Sequence, residues 1–216
     1  MKSILVIGLG RFGTYLSRKF MALGNEVMVV DKSEKEIQAI MDEVTSAQIA
    51  DCKSEEALRS LGVTNFDLCF VCVGTSFQDS LEVTSLLKEL GAKRVISKAR
   101  DSVHAKFLLR NGADEVVYPE RDSAERVASR LSANNVFDYI ELTDDFSIYE
   151  IPPMDAWLGR TVQEVNVRRK YGVNILAVKR EGHLFPLPGA EHLFAPGEHL
   201  LVLGRSEDVK RILKKI

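Results

Sequence analysis

The stretch Gly8-Leu9-Gly10-Arg11-Phe12-Gly13 constrains this chain more than any other. It follows the apolar run Ile4–Ile7 directly and opens a helical pattern that runs to Gly24. In a strand–turn–helix of this kind the first glycine permits the tight turn and the second lets backbone approach a phosphate. The third allows the helix to pack closely on the strand. The helix start also presents free N–H groups and a positive dipole end to an anion. Asp31 closes the second strand-like run, where its carboxylate can accept ribose hydroxyls and would repel a 2′-phosphate.

Arg11 is electrostatically misplaced at that helix start, because it faces the positive end of the dipole. A bound polyphosphate offsets the cost, and a guanidinium grips phosphate oxygens bidentately. The competing reading is a solvated arginine on the outer side of the first turn. On the first reading, Arg11 tilts the ligand from a dinucleotide toward ADP or ATP.

The rest of residues 1–118 alternates. Strand-like runs fall at Ile4–Ile7, Val27–Val30, Ala47–Ala50, Leu68–Val73, Val95–Ala99 and Glu115–Tyr118. Helical patterns lie between them. One starts after Ser33, with Glu36 placed for a capping box, and others cover Ser54–Leu61, Ser76–Leu90 and Ser102–Arg110. Gly24, Gly62, Gly91 and Gly112 stand as helix stops. Apolar strands alternating with helices predict an α/β fold of the Rossmann type, a doubly wound parallel sheet covered on both faces. Such sheets bind ligands at the carboxyl ends of their strands. Lys32, Asp51, Cys52, Val73, Gly74, Lys98 and Arg100 therefore join the glycine stretch, Phe12 and Asp31 as nucleotide-binding candidates.

After Pro119 the rhythm changes. Residues 119–143 read as a crossover helix and linker, with Ala124, Val127, Ala128 and Leu131 on one apolar stripe and a break at Asn134-Asn135. Residues 144–216 read as a small α+β domain. Its strands are predicted at Phe146–Ile151, Asn174–Lys179 and His199–Leu203, and its helices at Thr161–Val165 and Ser206–Ile216.

Cys69 and Cys72 spell a C-x-x-C inside a strand run, where residues three apart point to opposite faces. They are expected as buried core thiols, not a redox or metal pair. The histidines His183, His192 and His199 lack metal-ligand spacing and are read as surface or loop residues. No nucleophile or acid–base constellation stands out, so the chain reads as a sensor and not an enzyme. A net charge of −2, from 29 basic and 31 acidic side chains, offers no bulk attraction for nucleic acid. The basic residues Lys210, Arg211, Lys214 and Lys215 are read as a solvated face. No apolar run approaches a membrane span, and the N-terminus lacks the order of a signal peptide, which together predict a cytosolic protein without membrane insertion.

A set of ordered motifs carries a resemblance. They are "VIGLGRFG", "VVD" at Val29–Asp31, "IAD" at Ile49–Asp51, "KAR" at Lys98–Arg100, "GADEVVYPE" at Gly112–Glu120 and "NVRRKYGVNILAVKREG" at Asn166–Gly182. Over essentially the whole chain they resemble the cytosolic regulatory subunits of Ktr/Trk-type bacterial potassium transporters, whose RCK domain regulates potassium conductance. The resemblance implies a Rossmann N-lobe, a crossover helix and a small RCK-type C-lobe. It implies dimers assembled in an octameric ring beneath a membrane potassium-channel subunit, at the inner face of the cell membrane, with ATP against ADP changing the ring's shape. Arg11 then matches the arginine that meets the terminal phosphate, and Asp31 the ribose ligand. Glu120 matches a carboxylate that binds a divalent cation, magnesium or calcium. The C-lobe resembles a region that binds cyclic di-AMP between two subunits, at Val162, Gln163, Arg168, Asn174, Ile175, Leu176 and Pro188. Gln163 departs from the apolar residue usual at its position. The alternatives are an NAD-dependent oxidoreductase, an NAD(H)-redox sensor and a redox-sensing repressor, the last lacking a helix-turn-helix and a basic face.

Overall fold

The computed structural model describes residues 1–74, 76–132, 137–143 and 145–215. The Asn134-Asn135 break, the boundary residue Asp144 and the terminal Ile216 lie outside the described residues. The chain divides into two compact units, Met1–Arg121 and Asp122–Ile216.

The first unit alternates β1 (Ser3–Ile7), α1 (Arg11–Ala22), β2 (Glu26–Asp31), α2 (Glu34–Gln38), β3 (Ser46–Ile49) and α3 (Glu55–Ser60). It continues with β4 (Leu68–Val71), α4 (Phe77–Glu89), β5 (Val95–Lys98), α5 (Ser102–Arg110) and β6 (Glu115–Val117), and α6 (Pro119–Ser132) leads out of it. The six strands are all parallel, in the order β3-β2-β1-β4-β5-β6. This is the doubly wound order, with its switch point between β1 and β4.

Burial on both faces explains the unbroken apolar strands. Leu5 and Ile7 of β1 join one cluster with Leu58 of α3 and Val83 and Leu87 of α4. Ile4 and Val6 join the opposite cluster with Ile37 of α2 and the inner side of α1, Phe12, Leu16 and Phe20. Cys69 and Cys72 fall in different clusters, as strand alternation requires. Burial pushes the thiols of Cys52, Cys69 and Cys72 up to about 12, far from the thiolate form.

The helix punctuation is local. Ser54 and Ser76 cap α3 and α4 by accepting the N–H of Ala57 and Asp79, and Gly24, Gly62, Gly91 and Gly112 all take positive φ after their helices. Only half of the expected capping box forms at α2. Ser33 Oγ accepts the Glu36 N–H at 3.4 Å, but the Ser33 N–H is taken by Asp31 Oδ1 at 2.8 Å.

The second unit holds β7 (Asp138–Glu141), β8 (Phe146–Ile151), α7 (Val162–Val165), α8 (Val167–Tyr171), β9 (Asn174–Arg180), β10 (His183–Pro186), β11 (His199–Arg205) and α9 (Ser206–Leu213). Its strands form an antiparallel sheet ordered β10-β9-β11-β8-β7. The sequence reading missed β7, β10 and α8. Residues 138–141, expected as linker, hydrogen-bond to β8 and so form a sheet edge. The core gathers Ile151, Val165, Leu200, Val209 and Ile212 around Trp157, which touches the rings of Tyr171 and Phe194. The Trp157 indole N–H is buried without a hydrogen-bond partner. Lys210, Arg211, Lys214 and Lys215 are exposed, as expected of a solvated face.

Two glycines fix how α1 meets β1. A Cβ on Gly13 would stand 2.0 Å from the Gly8 carbonyl oxygen, whereas a Cβ on Gly10 would meet nothing within 4 Å. Gly10 also has φ −63 and ψ 177, which alanine adopts freely. Gly13→Ala is therefore expected to destabilise the ligand-free protein by about 1–3 kcal/mol, and Gly10→Ala to leave it within about 0.5 kcal/mol of the parent. Urea unfolding of the two variants checks this contrast.

Candidate functional site

A cleft of about 500 Å³ opens at the carboxyl ends of the first unit's strands, within the range of small-molecule sites. Gly8, Gly10, Arg11 and Phe12 line it from the turn after β1. Asp31 and Lys32 line it after β2, Asp51 and Cys52 after β3, Val73 and Gly74 after β4, and Lys98 and Glu120 after β5 and β6. These candidates, far apart in sequence, come together because every parallel strand delivers its exit to the same edge.

Two candidates stand apart from the lining. Gly13 is packed under the turn, against Gly8. Arg100 is exposed, with its guanidinium over the Phe77 ring at 5.8 Å. Its backbone N–H instead donates to His104 Nδ1 at 3.3 Å, which leaves the proton on Nε2, 2.7 Å from Ser80 Oγ. Burial and the Arg100 charge push the His104 pKa down, in keeping with a neutral ring.

The glycine turn is braced by an acid. Asp31 Oδ2 accepts the Leu9 N–H at 2.6 Å while Oδ1 accepts the Ser33 N–H. Asp31 therefore fixes the turn and lines the cleft at once. The first turn of α1 holds no acidic residue and no side chain caps it, so its polar end is open to an anion. Among the described residues Arg11 has no carboxylate partner, and it is exposed at the cleft.

Two of the other cleft cations, Lys98 and Lys53, are paired. Lys98 Nζ lies 2.5 Å from Glu120 Oε1, and Lys53 Nζ 3.7 Å from Asp79 Oδ1. The hydrogen bond from Lys98 holds the Glu120 carboxyl below its usual range. With Glu120 largely exposed, the pair contributes at most about 1 kcal/mol. A divalent cation at Glu120 thus meets an ammonium already in place. Among the described residues no group of three or more His, Cys, Asp or Glu side chains could hold a metal. Lys53, Asp79 and Val83 were missed by the sequence reading. Lys53 directly follows two candidates at a strand exit, which was the available signal. Asp79 sits in the first turn of α4 and carried none.

The second unit has its own hollow of about 370 Å³. Val162, Gln163, Arg168, Asn174, Ile175 and Pro188 line it, joined by Asn166, Val167, Val173 and Ala190. Leu176 is not among the lining residues, and its carbonyl accepts the Leu187 N–H at 2.8 Å. Asn166, missed in the sequence, takes φ 54 between α7 and α8, a conformation asparagine tolerates better than most residues.

The loop that carries Pro188 and Ala190 is tied down by a buried acid. Glu198 accepts the Ala195 N–H at 3.1 Å, bonds His192 Nε2 at 3.2 Å and pairs with Arg180. Gln163 N–H donates to the Ala190 carbonyl and Val162 N–H to that of His192. Of the three C-terminal histidines read as surface or loop residues, His192 does stand in a loop, and the reading of His199 needs correction, since it begins β11. His192 and His199 are only partly exposed and bond carboxylates, His199 Nδ1 lying 2.7 Å from Glu150 Oε1 and its ring stacking on Phe137. The partner of His199 is 49 residues away, which spacing does not reveal, whereas Glu198 stands six residues after His192. His183 is exposed, as expected.

The TrkA-N domain family matches residues 4–119 and the TrkA-C domain family residues 146–216. Ktr system potassium uptake protein C of Bacillus subtilis is 37% identical over 215 residues, covering 100% of this chain and 97% of that protein. The chain belongs to the Ktr/Trk family of RCK regulatory subunits. Ktr system potassium uptake protein A of the same organism is 37% identical over 210 residues, covering 97% of this chain and 95% of that one. The family consists of regulatory subunits of potassium uptake and not of enzymes.

Solved structures share the fold. The GsuK channel covers 100% of this chain and 39% of its own, with a TM-score of 0.72 and 20% identity. GsuK bound to NAD superposes with a TM-score of 0.63 at 19% identity over 96% of this chain and 38% of its own. GsuK bound to ADP gives 0.53 at 18% over 62% and 36%. Among the described residues no helix is long and apolar enough to cross a membrane.

Burial alone would raise the Glu198 pKa, but bonds from Arg180, the Ala195 N–H and His192 outweigh it and hold the carboxyl below its usual range. A carboxyl whose folded pKa is depressed adds stability above its unfolded value and loses it as pH falls through the folded one. Glu198→Gln is expected to lower the stability of the second unit by about 1–3 kcal/mol near neutral pH, since the half-exposed Arg180 it leaves behind can return to water. The gap to wild type should shrink as pH falls below about 4, as thermal melts across a pH series would measure.

Proposed function

We propose that this chain is a cytoplasmic nucleotide-sensing subunit that gates a membrane potassium transporter through an ATP/ADP-dependent change in the shape of an oligomeric ring. One observation carries the ligand choice: Arg11, without a carboxylate partner, stands at the positive end of α1 beside an open glycine turn. A cation there is unfavourable until an anion arrives, and a polyphosphate offers the most charge. The apolar side of the cleft, with Ile7, Val30, Ala50 and Val73, suits an adenine, and Asp31 and Lys32 suit the ribose end. The solved GsuK structures with ADP and with NAD support a nucleotide ligand. NAD(H) is the second reading, favoured by Asp31 at the end of β2.

The ring rests on α6. Val127 and Leu131 are 41% and 72% exposed in the single chain, and Ala124 and Ala128 on the same stripe are exposed too. A helix face of this kind calls for a second copy of the chain, giving dimers and then the octamer. The partner is a membrane potassium-channel subunit, which holds the ring at the inner face of the membrane without insertion of the chain itself.

Calorimetry with ATP, ADP, AMP and NADH tests the proposal. ATP is expected to bind more tightly than AMP. Arg11→Ala should cost ATP about 1.5–3 kcal/mol and narrow the gap between ATP and ADP. Equal losses for all nucleotides would remove the terminal-phosphate role, and preferential binding of NADH would favour the second reading.

The C-lobe hollow is proposed to take cyclic di-AMP, shared between two chains about a two-fold axis. Arg168 would hold phosphate while Ile175 and Pro188 pack on adenine. Gln163 lines the hollow and donates its backbone N–H to the Ala190 carbonyl. Titration is expected to give one ligand per two chains, with the heat lost in Arg168→Ala. No heat at tens of micromolar ligand, or one ligand per chain, would reject the second site.

A further inference from the structure

We propose that the Lys98–Glu120 ion pair is a built-in competitor for the phosphate tail: Glu120 holds the Lys98 ammonium until a terminal phosphate takes it, and this exchange makes the cleft count phosphates. The inference rests on the nucleotide reading above and goes beyond it, since that reading assigns the discrimination to Arg11 alone.

The register of the sheet builds the pair. Lys98, the last residue of β5, sits opposite Val117 of β6, and Glu120 follows a short step after that strand ends. The two side chains then meet at 2.5 Å. The ammonium is also placed against the phosphate turn. Lys98 Nζ lies 3.6 Å from where a Cβ on Gly74 would stand, and the neighbouring Val73 nitrogen lies 3.0 Å from the corresponding point on Gly8. The end of β4 is thus one wall, with the glycine turn on one side and the ammonium on the other.

The two partners differ in exposure. The Lys98 side chain is 15% exposed and that of Glu120 71%. The cation is fixed deep in the cleft, whereas its anion sits at the rim. Exchange therefore returns the displaced carboxylate to water and leaves no buried charge behind. The other pair, Lys53–Asp79, is looser at 3.7 Å, and Arg11 has no carboxylate to lose. Lys98 is the cleft cation whose contact with a phosphate requires a close carboxylate to let go.

That requirement sets the selectivity. A terminal phosphate carries about two negative charges near neutral pH, and a carboxylate or an internal phosphodiester carries one. The terminal group wins the ammonium from Glu120, and an internal phosphate does not. Once released, Glu120 stands close to the phosphate tail and repels it. Its removal should help the nucleotide whose tail reaches Lys98 more than one whose tail stops short.

The test is calorimetry on the full chain in the presence of a chelator, with ATP and AMP as probes. Glu120→Gln is expected to raise the ratio of ATP to AMP affinity about two- to fivefold. Lys98→Met should lower that ratio below wild type and abolish the gain when combined with E120Q, while Lys98→Arg restores it. A ratio unchanged or lowered in E120Q overturns the proposal, as does a gain that persists in the Lys98→Met background. A wild-type chain that binds no adenine nucleotide overturns the nucleotide reading instead.

Discussion

The contact between Gly13 and the Gly8 carbonyl is the constraint on which the N-lobe site depends. No side chain fits between α1 and the exit of β1, since a Cβ at position 13 would overlap the carbonyl oxygen. The helix is therefore drawn against the strand, and its N-terminus faces the space above the β1–β4 switch point. Asp31 reinforces this from the next strand by holding the Leu9 N–H. What is left between these fixed elements is a space bounded by backbone N–H groups and strand exits. The cleft is thus a by-product of close packing and not of a loop chosen for binding.

Electrostatics then divides the labour within the cleft. Arg11 costs the empty protein something, because it opposes the helix dipole without a neighbour to neutralise it. Lys98 costs little, because Glu120 neutralises it. Arg11 waits uncompensated and Lys98 waits with an internal substitute. In the C-lobe the charges work differently. Glu198 is buried and fully engaged, so it serves the shape of the loop beside the second hollow and has no capacity left to bind a ligand.

The N-lobe was legible in the sequence because its signals are local and redundant. Strands buried on both faces read as apolar runs, serine caps and glycine stops mark the helices, and the parallel topology places every strand exit on one edge. Once that edge was known, Asp31, Asp51, Gly74 and Lys98 followed. Arg100 stands off the cleft lining because proximity in sequence to Lys98 says nothing about direction. Two residues beyond Lys98, its side chain turns to Phe77. The C-lobe was less legible. Its antiparallel sheet recruits β7 from an apparent linker and β10 from a proline-bounded edge, and neither shows a strong period. The tie of His199 to Glu150 joins β11 to β8, and such a pair has no signature along the chain. The Lys98–Glu120 pair was hidden for the same reason, since each residue was legible and their meeting was not.

The chain has a single tryptophan, and Trp157 lies at the centre of the C-lobe core between Tyr171 and Phe194. Its emission is an optical label installed by nature on one unit of two. Fluorescence reports the melting of the C-lobe alone, whereas far-ultraviolet circular dichroism sums the helices of both units. The two signals coincide only if the units unfold together. A nucleotide that shifts the dichroism curve and leaves the tryptophan curve in place has stabilised its own lobe without speaking to the other. One that moves both has revealed the coupling that any relay between the two lobes requires.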